Sequence, residues 1–379
     1  MERSTHSSTS DTSSTTQSFN MHIEEGTPSL RRSRLLNLTT SKPFIPNHLF
    51  KTLFFITTLI CIAEYLYINH LTTSNTRIPN DPYDNTFALI TNPTNPSLWS
   101  PSHQNFIHSA VPVPVHSHND YLHRIPLFEA LASGCISVEA DVYLQNADLL
   151  VGHKARDLQP SSTLRSLYLE PLQRMLVAQS GRGIFDRAPS QTVVLLVDLK
   201  SDGGDTFAEL HAQLEPLREL DYLTYWNGSA RVNRPLTIVA TGNAEFVSIT
   251  ALNSTHRDIF YDAPLHTLRS SADDLDIQPP RYGYNTSNSY LASTEFKNAI
   301  LYTHKNESSA WTKDASQTQI EQAQDRGLVS RYWDTPASPP NTRDIAWRVL
   351  VERGVGVLNM DDLGMVRGRG RGWGRLELK

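Results

Sequence analysis

Apolar residues along this chain form one long block and then, after a gap, a series of short runs. The block, Leu53 to Ile68, is broken only by a threonine pair and Glu64. It predicts a helix over 49–70, near the short limit for crossing a membrane. Ahead of it, residues 1–48 are rich in Ser and Thr and poor in large apolar side chains. Such a composition cannot offset its own ordering entropy, so a disordered tail is expected. Behind it, residues 71–110 are dense in Pro, Asn, Ser and Thr and read as a linker.

The short runs begin at Val111. Strand-like segments are Val111–His116, Ser137–Val142, Thr192–Leu199, Leu236–Ala240, Ile259–Tyr261, Leu328–Tyr332 and Val355–Leu358. Helix-like stretches lie between or after them at Ile125–Ser133, Leu164–Ala178, Thr206–Leu220, Thr318–Arg326 and Arg343–Arg353. This alternation predicts an α/β fold with a parallel sheet and crossover helices. Residues 111–363 have the usual size of a TIM-type (β/α)8 barrel. The stretch from Leu265 to Thr312 gives no clear strand, which leaves the sixth one unassigned. Residues 364–379, with the Gly-spaced arginines Arg367, Arg369 and Arg371, read as a flexible C-terminal tail.

Polar residues interrupt the runs at telling places. His116, His118, Asn119 and Asp120 end the first strand, and Glu139 and Asp141 sit two apart inside the second. His153 follows Leu149-Leu150-Val151, while Asp198 and Lys200 end Val193-Val194-Leu195-Leu196-Val197. Strand ends converge on one mouth of a barrel, where chemistry is done. Alternation puts Glu139 and Asp141 on one face, where they repel unless a cation or a basic group neutralises them. Hard cations such as Mg²⁺ or Ca²⁺ take oxygen ligands of this kind. An Asp ending a run buried on both faces is a costly placement without partners, and Lys200 shares its face. A histidine as base and another as acid would suit in-line displacement at phosphorus.

Charge and cysteines narrow the picture. A formal net charge of −5 argues against a nucleic-acid partner, which would meet a basic face. The two cysteines, Cys61 and Cys135, allow no disulfide within the barrel and no C-x-x-C metal site. Arg31, Arg32, Arg34, Lys42 and Lys51 precede or open the apolar block. The positive-inside rule then puts the N-terminus in the cytosol and the barrel in the lumen or outside the cell. Four N-x-S/T motifs, at Asn227, Asn253, Asn285 and Asn306, agree with a glycoprotein of that topology, while Asn37 lies on the other side.

Together, His-Ser-His-Asn-Asp-Tyr, Gly-Cys-x-Ser-Val-Glu-Ala-Asp-Val, Leu-Leu-Val-Gly-His, Thr163-Leu-Arg-Ser-Leu-Tyr-Leu-Glu-Pro-Leu172 and Gly354-Val-Gly-Val-Leu-Asn-Met-Asp-Asp-Leu363 carry a resemblance. The chain resembles the fungal altered inheritance of mitochondria protein 6 family, within the phospholipase-C-like (glycerophosphodiester) phosphodiesterase superfamily. That resemblance implies a phosphoric diester hydrolase in lipid metabolism, acting on a lipid-type or glycerophosphodiester substrate. It implies one divalent cation, Mg²⁺ or Ca²⁺, on Glu139, Asp141 and Asp198. It also implies catalytic histidines at His116 and His153, with Lys200 toward phosphate and His118, Asn119 and Asp120 as neighbours. The chain lacks the disulfide that braces the catalytic loop of the related venom enzymes, which leaves the loop of His153 free to move. The family name records a mitochondrial phenotype, so a mitochondrial association stands as a second expectation.

Two other classes remain. One is a barrel that binds lipid head groups without turnover. The other is an amidohydrolase-type metal site on His116-x-His118 with Asp361, which would also need histidines at the ends of the fifth and sixth strands.

Overall fold

A computed structural model of the chain describes residues 47–76, 107, 110–268, 283–305 and 308–369. The chain divides into two compact units, residues 1–79 and 80–379. Residues 1–46, most of the linker, Asn306 and residues 370–379 lie outside the described residues, Asn37 among them, while the start of the expected C-terminal tail is helical instead, within Leu363–Arg369.

The first unit holds one helix, Asn47–Thr76. Its window His48–Tyr67 has a mean hydropathy of 1.7 and no buried side chain. Thr52, Thr57 and Thr58 donate their hydroxyls back to the carbonyls of His48, Leu53 and Phe54, at 2.8, 2.6 and 2.8 Å. The helix thus satisfies these hydroxyls internally.

The second unit is a closed barrel of eight parallel strands. They are β1 Val113–Ser117, β2 Cys135–Gln145, β3 Val193–Leu199, β4 Leu236–Gly242, β5 Ile259–Pro264, β6 Ser289–Glu295, β7 Val329–Trp333 and β8 Val357–Met360. Each pairs with the next, and β8 pairs with β1 to close the ring. Seven of the eight match the apolar runs. The eighth, β6, falls in the stretch that gave no strand. Its sequence Ser-Tyr-Leu-Ala-Ser-Thr-Glu is mostly small and polar, and it lacks the branched apolar run that marks the others.

Alternation along the strands separates two cores. Val138, Ala140 and Val142, then Leu195, Val197 and Leu199, then Ile238 and Ala240 belong to the large outer core under the helices. Val194, Leu196, Val239 and Leu291 form a separate small cluster that fills the barrel. On β3 the inward face therefore reads Val194, Leu196, Asp198, apolar below and charged at the C-terminal end. Register carries that polar layer around the barrel: Asp141 lies opposite Asp198, and Asp198 opposite Thr241. His116 lies between Ser137 on β2 and Asn359 on β8.

β2 overshoots the barrel and folds back on the antiparallel strand Asp148–Val151. Asn146 and Ala147 make the turn, both at positive φ (52° and 58°), as a two-residue hairpin loop of this hand requires. The return brings Gly152 and His153 to the level of Asp141.

Candidate active site

The mouth of the barrel is a cavity of about 980 Å³, walled by His118, Glu139, Asp141, His153, Asp198 and Lys200 on one side. Arg331, Asp262 and Asp361 join them, and Phe296, Ile300 and Trp333 supply an apolar wall.

Glu139, Asp141 and Asp198 each bring a carboxylate oxygen within 4.8 Å of the others. Their remaining oxygens are tied back. Glu139 Oε2 accepts from Arg331 at 2.8 Å and from His116 Nε2 at 3.0 Å. Asp141 Oδ2 faces the Tyr121 hydroxyl at 2.8 Å, His153 Nδ1 at 3.2 Å and Lys200 Nζ at 3.3 Å. Asp198 Oδ2 accepts from Lys200 Nζ at 2.6 Å. Asp141 Oδ1 and Asp198 Oδ1 are buried without a hydrogen bond. Buried carboxylate oxygens without partners are costly, and a hard divalent cation is the partner that such oxygens fit. Gly242 completes the pocket. It sits at φ 68°, and a Cβ there would lie 2.0 Å from Asp198 Oδ1.

The histidines divide differently from the expected pair. His116 is 0% exposed and lies behind Glu139. Its Nε2 meets an acceptor-only carboxylate, so the N–H belongs there, and Nδ1 accepts from Ser137 Oγ at 2.6 Å. Burial, then the Arg331 charge, lower its pKa to about 3, which keeps the ring neutral. His118, expected as a neighbour, lines the cavity instead. Its Nδ1 lies 2.6 Å from Asp361 Oδ1, and its Nε2 lies 3.8 Å from Glu139 Oε2. Burial disfavours its imidazolium, but the Asp361 hydrogen bond and the Glu139 charge outweigh that and raise its pKa. His153 also faces the cavity, 54% exposed. Its loop is pinned without a disulfide: Gly152 N donates to Asp141 O at 3.1 Å, and the Tyr143 hydroxyl donates to His153 O at 3.2 Å.

Contacts around the trio set the charges and the loop. Burial opposes ionisation of Glu139, yet the Arg331 charge and the His116 hydrogen bond hold its carboxyl well below the usual range. Burial raises Asp198 even with Lys200 beside it. Asp120 lines no part of the cavity; it accepts from Ser117 Oγ, Leu127 N and the Tyr168 hydroxyl at 2.8, 2.5 and 3.0 Å, and so fixes the loop that carries His118 and Asn119. Asn119 accepts from the Tyr121 hydroxyl at 2.7 Å.

Arg331 was not among the expected site residues. Its signal was there to read: a lone arginine between Ser330 and Tyr332 in an apolar strand is as costly a placement as Glu139. Asn359, which accepts from Arg331 Nε at 2.9 Å, gave no comparable signal. The amidohydrolase arrangement finds no support. His116 and His118 point to different environments, and the end of β5 carries Asp262 and the end of β6 Glu295 where that site needs histidines.

A family model described as an AIM6-like phosphodiesterase domain matches residues 104–262. Altered inheritance of mitochondria protein 6 homolog from Arthroderma benhamiae is 35% identical over 278 residues, covering 68% of this chain and 84% of that protein. Altered inheritance of mitochondria protein 6 from Eremothecium gossypii is 37% identical, covering 66% of this chain and 68% of that one. The Saccharomyces cerevisiae S288c protein of that name is 31% identical, covering 67% and 70%. Among solved structures, a glycerophosphoryl diester phosphodiesterase from Parabacteroides distasonis matches at 12% identity and a TM-score of 0.38, covering 71% of this chain and 90% of that one. The chain belongs to the altered inheritance of mitochondria protein 6 family and carries its phosphodiesterase-type barrel.

Proposed function

We propose that this barrel hydrolyses a phosphodiester, with His118 and His153 as the acid–base pair and a divalent cation on Glu139, Asp141 and Asp198. The observation that carries the reading is the carboxylate trio: two of its oxygens are buried without partners, beside two histidines that open on the same cavity. When bound, the cation would supply positive charge to phosphate oxygens and lower the barrier to their charge build-up.

The side chains divide the remaining work. Asp361 accepts from His118 Nδ1, which leaves Nε2 for the substrate and favours the protonated ring. That suits His118 to protonate the departing alcohol oxygen. His153 turns Nδ1 to Asp141, leaving its own Nε2 to take a proton from the attacking hydroxyl, whether from water or from the substrate itself. The oxygen–phosphorus bond forms as the opposite ester bond breaks. Lys200, held between Asp198 and Asp141, offers its ammonium to phosphate oxygens.

The lipid part of the reading is supported by Phe296, Ile300 and Trp333 on the cavity wall and by the apolar helix Asn47–Thr76. That helix would anchor the chain in a membrane. The basic residues Arg31, Arg32, Arg34, Lys42 and Lys51 favour a cytosolic N-terminus and a barrel in the secretory lumen or outside the cell.

The test is release of a phosphorylated head group from a panel of glycerophosphodiesters, phospholipids and lysophospholipids with Mg²⁺ or Ca²⁺. Turnover that stops with a chelator and returns with the cation supports the reading. Chelator-resistant turnover would remove the cation, and a protein inert on every phosphodiester would favour a binding barrel.

A further inference from the structure

The barrel's other end carries three features that the proposed chemistry does not use. Asn227-Gly228-Ser229 lies in the hairpin before β4, Asn253-Ser254-Thr255 in the loop before β5, and Asn285-Thr286-Ser287 in the loop before β6. Each is an N-x-S/T motif, and all three asparagines are exposed. Loops that precede strands sit at the N-terminal end of a parallel barrel, opposite the mouth that holds Glu139, Asp141 and Asp198.

The three loops are joined into one surface. Trp226 and Arg257 exchange backbone hydrogen bonds at 2.7 and 3.1 Å, and the rings of Tyr225 and His256 stack at 4.2 Å. A Cβ on Gly228 would lie 3.3 Å from the Thr255 methyl, so the Asn227 and Asn253 loops touch. Arg257 then donates to the Ser287 carbonyl at 2.6 Å, which ties in the Asn285 loop.

Local geometry at the asparagines is alike. Asn227 Oδ1 accepts from Ser229 N and Ser229 Oγ at 3.0 and 2.9 Å, and Asn253 Oδ1 accepts from Thr255 N and Thr255 Oγ1 at 2.9 and 2.8 Å. Asn285 Oδ1 accepts from Ser287 N at 2.9 Å. These turns hold each side chain at the surface on its carbonyl oxygen. Among the described residues, the Nδ2 of Asn227 and of Asn253 has no hydrogen-bond partner. A glycan is bulky and strongly hydrated, so a folded domain tolerates it only where the asparagine stays exposed and the fold makes no use of its amide nitrogen. At Asn285, Nδ2 donates to Gly283 O at 2.9 Å, an exposed contact that a glycan would replace with little cost.

We infer that Asn227, Asn253 and Asn285 form one N-glycosylated face on the end of the barrel opposite its mouth. In the transfer, Nδ2 loses a proton and bonds to the anomeric carbon of an oligosaccharide, as that carbon's bond to the pyrophosphate of a polyprenyl carrier breaks. The inference rests on the luminal placement of the barrel and is independent of its chemistry. Its consequence is an orientation: the sugars keep the N-terminal end in water and leave the mouth clear for substrate.

The experiment is expression of the full chain in a fungal host, treatment with a peptide N-glycosidase, and peptide mass spectrometry for the Asn-to-Asp conversion the glycosidase leaves. The expected result is conversion at two or all three asparagines. Asn227→Gln, Asn253→Gln and Asn285→Gln should each remove one mobility step where the asparagine is converted, without changing turnover. Conversion at none or only one of the three overturns the inference. Protease protection in sealed microsomes separates the causes. A protected barrel with bare asparagines means the placement stands and the face is wrong. A digested barrel, or a glycan at Asn37, means the topology itself is reversed.

Discussion

The two sides of Glu139 use the same residue types for different ends. Behind it, His116, Ser137 and Asn359 are buried away from the cavity, and with the buried Arg331, which reaches the cavity wall, they bond to Glu139 or to one another among the described contacts. In front of it, His118, His153 and Lys200 are partly exposed and line the cavity. His116 and His118 are two positions apart, yet burial lowers the pKa of one to about 3 while Asp361 and Glu139 raise that of the other. A histidine near carboxylates is not thereby catalytic. Whether it scaffolds or reacts depends on how much of the ring can reach solvent and on what holds its second nitrogen.

The sharpest way to break this contrast from behind is Arg331→Met. It removes the guanidinium bonded to the buried Glu139 carboxylate and leaves neutral His116 as its hydrogen-bond partner among the described residues, and breaking such a pair costs about 3–5 kcal/mol. Urea unfolding should show that loss. Adding Glu139→Gln should recover part of it, because the stranded charge is gone. Equal losses in the single and double variants would mean Arg331 stabilises by packing alone.

Gly242→Ala tests the floor of the trio. Alanine at φ 68°, with its Cβ at 2.0 Å from Asp198 Oδ1, forces strain of about 1–3 kcal/mol or displaces the carboxylate. Calorimetric titration with Mg²⁺ or Ca²⁺ should then find weaker binding than in the parent chain. Unchanged cation affinity with the fold intact would take Asp198 out of the ligand set.

Asp361→Asn is the mildest change and sits in front. Asp361 is 70% exposed, so its pair with His118 adds less than about 1 kcal/mol to stability. The sign follows from the raised pKa of His118. The contribution is fully present below about pH 6.5, the unfolded value, and fades as pH rises through the folded pKa. In the variant that pKa falls, so the limb of the kcat/KM profile set by protonated His118 should move to lower pH. A profile that stays in place would assign the limb to another group.

Much of this site was legible in the chain because charge in an apolar strand is conspicuous. Glu139, Asp141 and Asp198 announced themselves in that way, and Lys200 followed from its spacing. Seven strands were readable from branched apolar runs, whereas β6 was hidden by its small polar residues. Exposure was the quantity the sequence withheld. The family resemblance favoured His116, but β1 ends in three consecutive buried residues, Val115, His116 and Ser117, and only His118 clears the sheet. Contacts across the barrel, such as Arg331 on β7 with Glu139 on β2, exist only once the ring has closed.

The assignment of scaffold and reacting histidine is tested most directly by comparing His118→Ala with His116→Ala on any phosphodiester the parent chain turns over. With each variant checked for folding, the expected result is that His118→Ala loses about 10²–10⁴-fold in kcat at near-parental stability. His116→Ala should lose stability first and retain turnover in whatever fraction stays folded. A folded, inactive His116→Ala beside an active His118→Ala would contradict it.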